Sequence, residues 1–129
     1  MDNSLFLRRV FTLDAATCFG FFALLTFGAA TLAPLTGLDT GLLRGAGLYL
    51  LPCAALFLWL GTRPQPPVAL SVIGILGNIA WVAKSIAVLA IFKAELTLFG
   101  NAFVAAQGAG VLGLVLLETV GLRRMRAAV

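Results

Sequence analysis

A handful of polar side chains set deep inside apolar stretches carry what chemistry this chain can do: Asp14, Tyr49, Asn78, Trp81, Lys84, Gln107 and Glu118. Lys84 is the most telling. A lysine near the centre of a bilayer costs on the order of 2.5–3.5 kcal/mol by insertion scales, so its retention calls for a compensating role. That role is a binding or proton-linked site, with the Tyr49 hydroxyl at a similar depth as a partner. The structural alternative is that Lys84 snorkels outward along its stem or pairs with backbone carbonyls. Asn78 and Gln107 are expected to hydrogen-bond to each other across two helices. Trp81, between Asn78 and Lys84, either stacks on a ligand or fills space, and packing is the simpler expectation. Asp14 and Glu118 each stand about five residues from an arginine pair, Arg8-Arg9 and Arg123-Arg124, and are expected to pair with it. The alternative is a pair of desolvated carboxylates in a proton-coupled transporter.

Other chemistries are disfavoured. There is no histidine, and the two cysteines, Cys18 and Cys53, fall inside apolar runs where thiols act as small packing residues. The usual ligands of haem and transition metals are therefore missing, and no cofactor is expected. Without a nucleophile–base constellation or a loop long enough to hold substrate, the chain reads as a non-enzyme. Net charge is +4 and pI about 9.8, but the nine basic residues are scattered between apolar runs. No contiguous basic face is offered to nucleic acid.

The elements that must position these residues follow from composition. The 129 residues are 61% hydrophobic and 11% charged, with mean hydropathy +1.07, more apolar surface than a soluble core of this size can absorb. Residues 15–38, 45–62, 64–83 and 96–117 contain no charge. Each is about long enough to cross a hydrocarbon core roughly 30 Å thick. The pattern predicts an all-α fold, a single transmembrane domain of four bundled helices near 10–33, 42–61, 68–92 and 97–122. Turn and stop residues separate them: Pro34 and Gly37 before Asp39, Arg63-Pro64-Gln65-Pro66-Pro67, and Lys93-Ala94-Glu95. The first run is too long for a cleaved export signal, and three more follow it. Arg8, Arg9, Arg63, Arg123, Arg124 and Arg126 fall on one side, against Arg44 and Lys93 on the other. Basic residues are retained in the cytoplasm, so the reading is a multi-pass inner-membrane protein with both termini cytoplasmic.

At 100° per residue, Ser71, Gly74, Gly77, Asn78, Trp81, Lys84 and Ser85 share an arc of roughly 140° on the third helix. Leu76, Ile79, Ala83, Ile86, Ala87 and Ala90 form the opposite, lipid-facing arc. The expected inner rows elsewhere are Asp14, Thr17, Cys18, Phe21, Leu25 and Gly28; Tyr49, Cys53, Leu56 and Leu60; and Gly100, Gln107, Gly110, Glu118 and Gly121. Pro52 should kink the second helix. Ala102, Ala106 and Gly110 form a small-residue ridge that lets another backbone approach, within the bundle or in a second copy.

The segments Leu43-Arg44-Gly45-Ala46-Gly47-Leu48 and Gly77-Asn78-Ile79-Ala80-Trp81-Val82 give the chain a resemblance, over most of its length, to small bacterial four-helix integral membrane proteins. That resemblance implies topology and no activity. Small multidrug resistance transporters are similar in size, with an acid in the first helix and a tryptophan in the third. Here, however, Asp14 stands at the helix entrance, and the charge bias opposes a dual-topology dimer. The signatures of fluoride channels are missing. Two functions compete. One is binding or translocation of a small or lipophilic solute in a polar site lined by Tyr49, Asn78, Trp81, Lys84 and Gln107. The other is a non-catalytic accessory subunit of a larger membrane complex. The interior of so small a bundle is thin, so a homo-oligomer is expected in either case.

Overall fold

A computed structural model describes residues 4–127 and places five helices: α1 (Leu5–Phe27), α2 (Ala29–Thr36), α3 (Thr40–Gly61), α4 (Val68–Ile91) and α5 (Leu98–Ala127). α1, α3, α4 and α5 are each long and apolar enough to span a membrane. Large apolar side chains point outward all around them, Phe27 at 80% and Leu98 at 89% exposure among others. Water penalises such a surface, whereas lipid does not. The chain is an all-α, multi-pass membrane bundle.

Helix α1 starts five residues earlier than the expected 10–33 span, and it bends at Gly28 before continuing as α2 to Thr36. The hydrogen-bond ladder survives the bend, with Gly28 N–H donating to Leu24 O and Leu32 N–H to Gly28 O. A side chain at Gly28 would press on the Leu24 carbonyl, so the bend needs glycine. Pro34 lies within α2 and does not end it. Gly37 ends it in the left-handed region (φ 82°) and donates to Ala33 O, with the Glu95 backbone packed where its side chain would be. Thr97 joins this corner to α5. Its N–H donates to Thr36 O, its hydroxyl donates to Leu35 O, and the same hydroxyl accepts from Gly100 N–H at the start of the helix.

The helices form a ring in the order α1, α3, α4, α5, with α1 facing α4 across one diagonal and α3 facing α5 across the other. The α1–α3 interface is the most extensive. Glycines make it close: Gly47 packs on Thr26 and Gly61 on Thr12, with buried Ala54 midway between them. This seam turns α3 so that Leu43, Gly47, Leu50, Ala54, Phe57 and Leu60 are buried. The expected row of Tyr49, Cys53 and Leu56 is corrected by it: these residues are half-buried, beside the core and not at its centre. α3 also stays one helix through Pro52, which lies on the exposed face.

Gly108 lets α5 approach Ser85 of α4, and Gly121 lets it approach Phe6 and Leu7 of α1. Of the neighbours in the ring, α3 and α4 touch least. Near the arginine-rich end, Phe57 of α3 fills the notch left by Gly74 and stacks on Phe11, with ring centroids 5.7 Å apart. Beyond Gly74 the two helices part. The lipid-facing arc expected for α4 holds at every position, since Leu76, Ile79, Ala83, Ile86, Ala87 and Ala90 are all exposed. The Ala102, Ala106 and Gly110 ridge is exposed too, so it does not pack within the bundle.

Candidate functional site

The polar residues sort into two groups, stacked along α4 about one helical turn apart. The lower group surrounds Asn78. Its Nδ2 donates to Asp14 Oδ2 at 2.6 Å and to Glu118 Oε1 at 2.9 Å, tying α1, α4 and α5 together across the diagonal. Asp14 is 1% exposed and Glu118 0%. Cys18, one turn along α1, donates its thiol to Asp14 Oδ1 at 3.4 Å. Among the described residues these are the partners of both carboxyls. This corrects two expectations. Asp14 and Glu118 are not paired with the neighbouring arginines, because both side chains are buried in the bundle, where Asn78 holds them. Asn78 does not bond Gln107, because the carboxyls take both of its N–H groups and Gln107 gives its own to Ser85 and Val104.

The upper group lines a cavity of about 500 Å³ where α3 and α4 part. Tyr49 and Trp81 stack across it with ring centroids 5.7 Å apart. The Tyr49 hydroxyl donates to Gly77 O at 3.3 Å. Trp81 Nε1 donates to Gln107 Oε1 at 2.6 Å, and Gln107 Nε2 donates to Ser85 Oγ and Val104 O, both at 2.8 Å. Every polar atom of Gln107 and the indole N–H is thereby engaged, which fixes the indole plane against the cavity. Leu25, Leu42, Val88 and Phe103 supply apolar wall.

Lys84 stands at the mouth. It is exposed and not in the bundle interior, and its ammonium rests over the Tyr49 ring, 3.8 Å from the centroid. A cation over an aromatic face is attracted by the ring quadrupole. Among the described residues no carboxylate pairs with it. Its Cα lies about 10 Å below the outer end of α4, counted at 1.5 Å per residue.

No known protein family, curated protein or solved structure matches this chain. The reading of its function therefore rests on this geometry. Of the five residues expected to share one site, Tyr49, Trp81, Lys84 and Gln107 come together, and Asn78 belongs to the carboxyl group below. Ser85 and Cys18 complete the two groups. Both stand four residues from a partner on their own helix, Trp81 and Asp14, a spacing readable in the sequence. No cluster of metal-ligating side chains occurs among the described residues.

Proposed function

We propose that this protein binds, and in its membrane translocates, a small lipophilic solute with an anionic head group, which enters from the lipid between α3 and α4. The observation that carries this reading is Lys84, an exposed ammonium with no carboxylate partner among the described residues, at the mouth of an apolar cavity. A charge held at membrane depth is retained where something pairs with it. The apolar walls suit a short hydrocarbon body, and the Lys84 ammonium suits a carboxylate, phosphate or sulfonate head. The Tyr49–Trp81 stack supplies a flat surface beside it. The role is non-catalytic, and the arginine bias supports cytoplasmic termini in a cell membrane.

The test uses the two tryptophans. Trp59→Phe leaves Trp81 as the single reporter, facing the cavity. In phospholipid vesicles, a short-chain fatty acid brominated on its tail is expected to quench Trp81 saturably, and Lys84→Met to weaken that quenching by tenfold or more in apparent affinity, about 1.4 kcal/mol. Quenching by the uncharged brominated alkane that equals the fatty acid's, or that is indifferent to Lys84→Met, would remove the proposal.

The exposed ridge of Ala102, Ala106 and Gly110 favours a second reading, as an accessory or self-associating subunit. A disulfide between copies of an Ala106→Cys variant in native membranes supports it, and monomer alone opposes it.

A further inference from the structure

Apart from the solute cavity, the geometry points to a proton-binding site: Asp14 and Glu118 hold one proton between them in the membrane, clamped by Asn78. The count of donors leads to it. The two carboxyl groups have four oxygens. Asp14 Oδ1 accepts from the Cys18 thiol, and Asp14 Oδ2 and Glu118 Oε1 accept from the two N–H groups of Asn78. Glu118 Oε2 is buried with no donor among the described residues. A buried acceptor without a donor is costly, and every donor of Asn78 is already used. One proton completes the set, because a carboxylic O–H on either residue can serve the carboxylate of the other, and both carboxyls lie within 2.9 Å of the same amide nitrogen.

The charge count agrees. Two ionised carboxylates sharing a single amide nitrogen would repel each other in a site nearly devoid of water. Among the described residues no cation is paired with either carboxyl. The groups facing the pair are Cys18 on α1, Cys53 on α3 and Asn78 on α4, all uncharged as thiols and amide. Lys84, six residues further along α4, is laid over Tyr49 at the lipid edge. With one proton the cluster carries a single negative charge, held by two amide donors' worth of hydrogen bonds and a thiol. Release of that proton to water leaves two carboxylates, adding one negative charge at the contact of three helices. Protonation and the closeness of α1, α4 and α5 are thus coupled.

Infrared spectroscopy of the full chain in phosphatidylcholine vesicles tests this without any solute. At neutral pH the wild type is expected to show a carboxylic-acid C=O band, of area equivalent to one acid per chain and shifted in heavy water. Asp14→Asn and Glu118→Gln are each expected to abolish it, because the introduced amide takes the hydrogen-bonding role of the protonated acid and leaves an ionised partner. The double variant is a control for other acids, and the amide band checks that all variants remain helical. Absence of the band in the wild type overturns the proposal. So does an area equivalent to two acids at neutral pH, or a band that persists unchanged in either single variant.

Discussion

Replacing Asn78 with leucine keeps the branched outline of the side chain and removes both donors to the carboxyl pair. A hydrogen bond to a charged partner contributes about 1.5–3 kcal/mol and one to a neutral partner about 0.5–1.5 kcal/mol. In membranes these values shrink, to about 0.6 kcal/mol on average for side-chain bonds between helices, because the unfolded helices find other partners. Asn78 makes one bond of each kind if the pair holds one proton, and both are short and buried. With the membrane discount, Asn78→Leu should lower the unfolding free energy by about 2–3 kcal/mol. Gln107→Leu, which loses neutral bonds to Trp81, Ser85 and Val104 at a half-buried position, should lower it by about 1 kcal/mol. Titration of the protein from mild micelles into dodecyl sulfate, followed by tryptophan fluorescence, measures both. Repeating Asn78→Leu in the Asp14→Asn, Glu118→Gln background should reduce its cost to about 1 kcal/mol, since neutral amides can satisfy each other. A cost that is below that of Gln107→Leu, or the same in both backgrounds, would refute the reasoning.

The glycines separate cleanly by what surrounds them. Gly37→Ala and Gly100→Ala push a Cβ into the backbone carbonyls of Glu95 and Thr36, and should lower stability by about 1–3 kcal/mol in the same titration. Gly45→Ala and Gly113→Ala meet nothing nearby within α3 and α5, so each should raise stability by about 0.5–1 kcal/mol through helix propensity. For orientation, single cysteines are introduced in a chain whose own two cysteines are alanine. A membrane-impermeant maleimide applied to intact cells should label Glu95→Cys and spare Gln65→Cys, the reverse pattern placing the arginine-rich end outside.

How much of this was legible depends on what each residue touches. The lipid face of α4 could be read in full, because lipid exposure depends on one helix alone and its apolar arc is uninterrupted. The inner row of α3 could not, because it is set by a partner: glycines at Gly47 and Gly61 acquire meaning only when Thr26 and Thr12 are found opposite. Polarity pointed to Tyr49 and Cys53, and backbone proximity to α1 won. The carboxyl pair shows the same limit. Asp14 and Glu118 are far apart in sequence and equally near an arginine pair, so local charge pairing was the simplest expectation. What joins them is Asn78, which reaches across a diagonal that no spacing along one helix reveals. Lys84, Trp81, Tyr49 and Gln107 were recognisable because intramembrane polar groups are costly wherever they sit.

Binding alone and translocation make different demands on the seam between α3 and α4. The cavity opens where these helices part, and toward the arginine-rich end it is shut by Phe57 seated against Gly74 and stacked on Phe11. The carboxyl pair lies at the next turn, between that plug and Trp81. A solute that only binds needs the plug to stay closed, whereas one that crosses needs α3 to leave Gly74, and the thin contact of α3 with α4 makes that the easiest interface to part. Cysteines at Phe57 and Gly74, joined by a short bifunctional thiol reagent in a chain otherwise free of cysteine, hold the seam shut. Translocation predicts that the cross-link abolishes uptake of a labelled fatty acid into vesicles while quenching of Trp81 persists, and that cutting the linker restores uptake. Uptake that continues through the cross-linked protein at the rate of the uncross-linked one would mean that solute does not pass this seam, and the role would contract to binding.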